Sequence, residues 1–159
     1  MSLSLDSVFM ELAVSLASKS HCVRKHVGAV IVSEGRVIST GYNGPPSGSH
    51  NCDQTDPNLC LRGDRERCFW GLHAEANAIL FALKNGLSLK GTTLYVTLSP
   101  CLDCARMIYL AEIKRVLYLH SYKDFKQTLE DEGLTFLRHF KIVVEQYKEK
   151  MKFISDDLI

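Results

Sequence analysis

Two short segments must meet in space in whatever this chain folds into: His73-Ala74-Glu75 and, further along, Pro100-Cys101-Leu102-Asp103-Cys104. One imidazole and two thiolates are zinc ligands, and three such ligands leave the fourth corner of a tetrahedron open to water. Glu75 is a carboxylate two residues past His73 and is not needed as a ligand, so the set is equipped to activate water and carry its proton. Both segments read as helix starts, with helical patterns over 73–85 and 101–112. The backbone dipole at a helix start favours thiolate over thiol. Cys101 and Cys104 fall on one face of a single turn, and Pro100 precedes it, where a missing N–H costs nothing. The competing reading is a closed structural zinc site with Glu75 on a helix surface. The proline, the His-Ala-Glu triplet and the strand leading into the cysteines favour the open site.

The remaining periodicities supply a scaffold. Residues 4–18 carry apolar side chains at helical spacing, with Ser4 or Asp6 available to cap. Residues 27–32 read as a buried strand, 33–36 as a turn and 37–41 as the returning strand. No periodicity holds over 42–71, where Gly44, Pro45, Pro46, Gly48, Pro57 and Gly63 punctuate a polar stretch. A loop so long is uncommon unless it is functional or held by something else. Gly86 is the natural stop of the 73–85 helix. Strands follow at 93–99, 115–119 and 142–144, with a helix over 124–140 that Gly133 is expected to break. The order α-β-β-α-β-α-β-α-β implies one layered α/β domain over 1–159 with a mixed sheet.

A chain of 159 residues with 46% hydrophobic and 23% charged residues is an ordinary globular domain, and a net charge of +1 gives no field for a polyanion. No apolar run spans a bilayer, so no membrane partner is expected. The first residues lack a basic and apolar leader, so the expected compartment is the reducing cytoplasm, or a host's cytoplasm for a phage-encoded chain. There the six cysteines mean metal or catalysis before disulfides.

His-x-Glu followed by Pro-Cys-x-x-Cys is the pattern of zinc nucleobase deaminases. Together with Val27-Gly28-Ala29-Val30, the run Gly41-Tyr42-Asn43-Gly44-Pro45-Pro46-Ser47-Gly48 and His73-Ala74-Glu75-Ala76-Asn77-Ala78, it makes the chain resemble the deoxycytidylate (dCMP) deaminase family, of the phage and bacterial type, from about residue 8 to residue 145. The resemblance implies a cytidine deaminase-like three-layer α/β/α sandwich with a mixed five-stranded sheet, and zinc-dependent hydrolysis of dCMP to dUMP and ammonia for thymidylate synthesis. It implies His73, Cys101 and Cys104 as zinc ligands and Glu75 as the catalytic residue. Asn43, Asn77 and Tyr122 are implied as substrate contacts, with Ser121 near the base. Arg24, Lys25 and His26 are candidate phosphate partners or a solvated basic cluster. A homo-oligomer, a hexamer, is implied, responsive to dCTP and dTTP with magnesium at the Asn43-Gly44 loop. No nucleic-acid partner is expected. The alternatives are a deaminase of tRNA or single-stranded bases, and a catalytically silent nucleotide-binding scaffold. Free-nucleoside deaminases use cysteine at the place of His73, and riboflavin-pathway deaminases continue into a reductase domain.

Cys22, Cys52, Cys60 and Cys68 remain, the last three at equal intervals of eight within or at the border of the 42–71 loop. They are candidates for a second, closed structural zinc that staples the loop, with His50 as a substitute ligand. The spacing lacks a Cys-x-x-Cys, and the alternative is reduced thiols without metal. Lys84 serves the nucleotide, an oligomer contact or its helix end. Phe69 and Trp70 are expected in the core or at a subunit interface, His120 as a satisfied polar residue or an active-site one, and Asp103 as a helix-start carboxylate.

Overall fold

The computed structural model describes residues 2–53, 68, 70–122 and 131–152. Helix α1 (Leu5–Ala17) is followed by strands β1 (Gly28–Ser33) and β2 (Arg36–Tyr42), helix α2 (Ala74–Lys84), strand β3 (Thr93–Leu98), helix α3 (Leu102–Leu110), strand β4 (Arg115–His120), helix α4 (Glu132–His139) and strand β5 (Val143–Gln146). The expected order is therefore found. Of the helix read over 124–140, residues 124–130 lie outside the described residues. The described part begins only at Glu132, after the non-helical Asp131, so the expected break near Gly133 falls two residues before it; Gly133 itself stands in the first turn, in a close contact described below.

The strands form one five-stranded sheet in the order β2-β1-β3-β4-β5. β1 pairs antiparallel with β2 and β3, while β3–β4 and β4–β5 are parallel. The sheet is mixed because the chain makes one tight hairpin and then crosses over through helices. Ser33 pairs with Arg36, and the intervening Glu34 and Gly35 both have positive φ, the two-residue turn whose twist suits a hairpin.

Alternation along the central strands divides the core in two. Ala29, Ile31, Leu94, Val96, Leu98, Val116 and Tyr118 face α2, α3 and α4. Val30, Val32, Tyr95 and Leu117 face Phe9, Met10 and Ala13 of α1. β1 and β3 are buried on both faces, hence their nearly continuous apolar sequence. This is the α/β/α sandwich read from the sequence.

Ser4, not Asp6, caps α1: its Oγ accepts the Ser7 N–H at 3.1 Å. Asp6 is engaged across the sheet, accepting from Arg115 at 2.8 Å through each oxygen and from the Tyr95 hydroxyl at 2.6 Å. Arg115 also donates to Glu145 at 2.6 Å, so α1, β3, β4 and β5 share one polar network. Gly86 follows α2, and the Leu87 N–H closes back on Ala82 O at 3.0 Å. Among the described residues no helix is long and apolar enough to cross a membrane.

Candidate metal centre and active site

His73 and Cys101 are the residues that start α2 and α3, and neither side chain makes a capping hydrogen bond to its helix. Two glycines bring these starts onto the rest of the fold. At Gly41 of β2 a Cβ would overlap Ala74 O, so α2 begins directly on the strand. At Gly133 of α4 a Cβ would overlap Pro100 O, so α4 begins on the Pro100-Cys101 turn. The approach to His73 is pinned by a short antiparallel bridge: Gly44 N–H donates to Leu72 O at 3.1 Å and Leu72 N–H to Gly44 O at 2.8 Å.

His73 Nδ1 lies 3.5 Å from Cys101 Sγ and 3.4 Å from Cys104 Sγ. Bond lengths of about 2.3 Å for Zn–S and about 2.0 Å for Zn–N at tetrahedral angles put nitrogen and sulfur about 3.5 Å apart. The residues thus fit a zinc ion with one corner open. Among the described residues this is the one set of three or more such ligand atoms gathered closely enough to hold an ion, all within 4.8 Å of one another. Cys104 is buried, Cys101 half-buried and His73 exposed, so the set opens outward past the imidazole.

Hydrogen bonding from Cys104, and then from His73, holds the Cys101 thiol down at about 4, against burial. Cys104 is raised, because its hydrogen is the one Cys101 leans on and because it is buried beside Glu75. A divalent ion held by these residues would displace that proton, with both sulfurs serving as thiolate ligands. Burial pushes the Glu75 carboxyl from 4.5 up to about 7, with its own backbone N–H and the His73 charge pulling the other way. A carboxyl poised there exchanges protons in both directions near neutral pH.

The other candidates divide. Tyr122 stands at the site: its N–H donates to Ser99 Oγ at 3.1 Å. Burial, and then the charges of Glu75, Cys101 and Cys104, raise its phenol. Lys25 Nζ lies 5.6 Å from the centre of the Tyr122 ring. Arg24, Lys25 and His26 form an exposed stretch between α1 and β1. Asn43 organises that stretch, since its Oδ1 accepts from Val27 N–H and its Nδ2 donates to Lys25 O, both at 2.8 Å. Asn77 Nδ2 donates to Tyr42 O at 2.7 Å. Gly44, Asn43 and Asn77 line a cleft of about 460 Å³ with His21, Asn51 and Phe81.

Ser121 is buried, His120 half-buried at the end of β4, Asp103 pairs with Arg106, and Lys84 is exposed in the last turn of α2. Trp70 is 55% exposed, not packed in this chain's core, and Phe69 lies outside the described residues. Cys22, Cys52 and Cys68 are half-buried and join no gathered ligand set among the described residues. Cys60 lies outside them, and His50 is exposed. Sequence reasoning missed Ser99 and Asp131, which touch each other beside Cys101. A polar residue at a strand end carries no signal of its partner.

Comparison with known proteins agrees with this geometry. The family model for the cytidine and deoxycytidylate deaminase zinc-binding region matches residues 3–120. The deoxycytidylate deaminase of Enterobacteria phage T2 is 36% identical, over 79% of this chain and 85% of that protein. That of Saccharomyces cerevisiae is 40% identical, over 91% of this chain and 45% of the yeast protein. The dCMP deaminase of cyanophage S-TIM5, crystallised with dCMP and dUMP, superposes with a TM-score of 0.78 at 33% identity, covering 92% of this chain and 99% of the other. With its open three-ligand set built on the starts of α2 and α3, this chain belongs to the cytidine and deoxycytidylate deaminase family.

Proposed function

We propose that this chain hydrolyses dCMP to dUMP and ammonia. The observation that carries the reading is the ligand triangle of 3.4 and 3.5 Å edges beside a buried, unligated Glu75. When bound, zinc supplies the Lewis acidity that brings the pKa of a water down to about 7. Glu75 takes a proton from the attacking water and passes it to the ring nitrogen as the oxygen adds to the neighbouring amidine carbon. It then carries the added hydroxyl's remaining proton to the departing amine, so a C–O bond forms, the C–N bond breaks, and one water is exchanged for one ammonia. One carboxylate suffices because the two transfers occur on adjacent atoms, and its burial keeps bulk water from short-circuiting them.

Tyr122 walls the base side of the pocket, and Arg24, with Lys25 leaning over the tyrosine, faces the phosphate. Asn43 and Asn77 shape the loop between them. The cleft at Asn43 and Gly44 is the place for a triphosphate effector with magnesium. The exposed Leu80, Phe81 and Leu83 of α2, each about half accessible, favour a homo-oligomer, read as a hexamer. For a second zinc at Cys22, Cys52, Cys60 and Cys68, two contacts speak. Cys68 Sγ accepts the Gly71 N–H at 3.3 Å, which orients the sulfur, and a 2.6 Å pair between His21 and Asp53 holds the Cys52 segment near Cys22. A reducing cytoplasm suits such thiols.

The test is ammonia release from dCMP, dCTP, deoxycytidine and CMP, with and without dCTP and dTTP as effectors, beside a Glu75→Ala control with zinc counted per chain. Turnover of dCMP is expected, falling by roughly 10²–10⁴ in the control with zinc retained. No turnover of any free nucleotide by fully metallated protein would overturn the reading and point to a polynucleotide base.

A further inference from the structure

Ser99 performs no ligation and moves no proton in the reaction above, yet it is 1% exposed and joins three parts of the fold beside the metal ligands. It follows β3 and immediately precedes Pro100-Cys101. Its N–H donates to His120 O at 2.7 Å, at the end of β4. Its hydroxyl donates to Asp131 Oδ1 at 3.0 Å and accepts the Tyr122 N–H at 3.1 Å. A serine hydroxyl has a single proton to give. With that proton held by a carboxylate, the rotor is fixed and a lone pair points at the Tyr122 amide.

Asp131 has little freedom to withdraw. It starts α4, and two residues on Gly133 packs against Pro100 and Cys101 with no room for a Cβ. Its side chain makes no capping bond to α4, so its bond to Ser99 is not incidental to helix capping. Tyr122, in turn, packs against the core beneath the ligands and lies under Lys25 Nζ.

We infer that Ser99, oriented by Asp131, is a positioning residue: it fixes where Tyr122 stands and thereby sets the grip on the nucleotide, not the chemistry at the ion. The inference rests on the reading that this site deaminates dCMP with Tyr122 at its wall.

The experiment compares steady-state kinetics on dCMP, zinc per chain and melting temperature for the wild type, Ser99→Ala, Asp131→Ala, Tyr122→Ala and the Ser99→Ala/Tyr122→Ala double variant. Ser99→Ala is expected to raise KM roughly five- to tenfold, with kcat within about twofold and zinc unchanged. Asp131→Ala shifts KM in the same direction and carries the test alone should Ser99→Ala fail to fold. In the Tyr122→Ala background, removing the serine hydroxyl adds nothing further to KM. A wild type inactive on dCMP overturns the functional reading and this inference with it. An active wild type whose KM is indifferent to these substitutions, or whose losses fall on kcat and zinc content or simply add to that of Tyr122→Ala, overturns the inference alone.

Discussion

A residue that ligates a metal from the first position of a helix gives up its role as a cap. His73 and Cys101 both occupy such positions, and neither side chain caps a backbone N–H of its helix. A metal held by His73, Cys101 and Cys104 would compensate by neutralising the thiolates, coupling its binding to local helix stability. Cys104→Ser should therefore lower bound zinc by one per chain and abolish turnover. Cys68→Ser should lower zinc by one per chain with turnover largely kept if the loop cysteines hold a second ion, and leave the count unchanged if they do not. Metal analysis of the purified variants decides between these. At this scale the sequence was informative where chemistry restricts residue type: only a few side chains bind zinc, and their spacing announces a shared face. It singled out Asn43 only by resemblance and without its partners, and it was silent on Ser99. An amide and a hydroxyl have many potential partners, and their partners here, Lys25 O, Val27 N–H and Asp131, are set by tertiary placement.

Elements meet at the site through backbone-to-backbone contacts that tolerate no side chain. Gly133→Ala forces α4 off the Pro100-Cys101 turn and should cost about 1–3 kcal/mol, lowering the melting temperature by several degrees. It should also weaken zinc retention against a chelator, since the displaced turn carries Cys101. Gly44→Ala, where a Cβ meets nothing within 4 Å, should leave zinc retention unchanged. Thermal melts and chelator competition on the two variants provide the check. Element type was legible from periodicity, as was the stop after α2, while the cap of α1 was narrowed only to Ser4 or Asp6. Gly133 was legible only as an anomaly: a glycine in a helical pattern signals either a break or a close approach. Here both hold: the described helix begins at Glu132, and Pro100 O lies against Gly133.

For the molecule as a whole, α1 is tied across the sheet from the ligands by Asp6, Tyr95, Arg115 and Glu145. The Arg115 guanidinium holds the Asp6 carboxyl below its ordinary 3.8, more strongly than partial burial raises it. A carboxyl depressed in the folded state contributes its full stability above the unfolded value, and loses it as pH falls through the folded one. Asp6→Asn should therefore lower the melting temperature at neutral pH. The gap from wild type should narrow as pH drops from about 5 toward about 3. Turnover at neutral pH should change little, because this network lies on the opposite face of the sheet from Glu75.

The bridge between Gly44 and Leu72 fastens the chain at both borders of the intervening segment, one residue short of His73. What lies inside such a fastening is a cassette. Lengthening a closed loop costs only about 0.6 kcal/mol per doubling, so the ligand that follows can keep its place while the enclosed length changes. The fastening thus separates the placement of His73 from the length of chain that precedes it, and offers protein engineers a port for inserting a reporter or a recognition peptide beside the metal ligands.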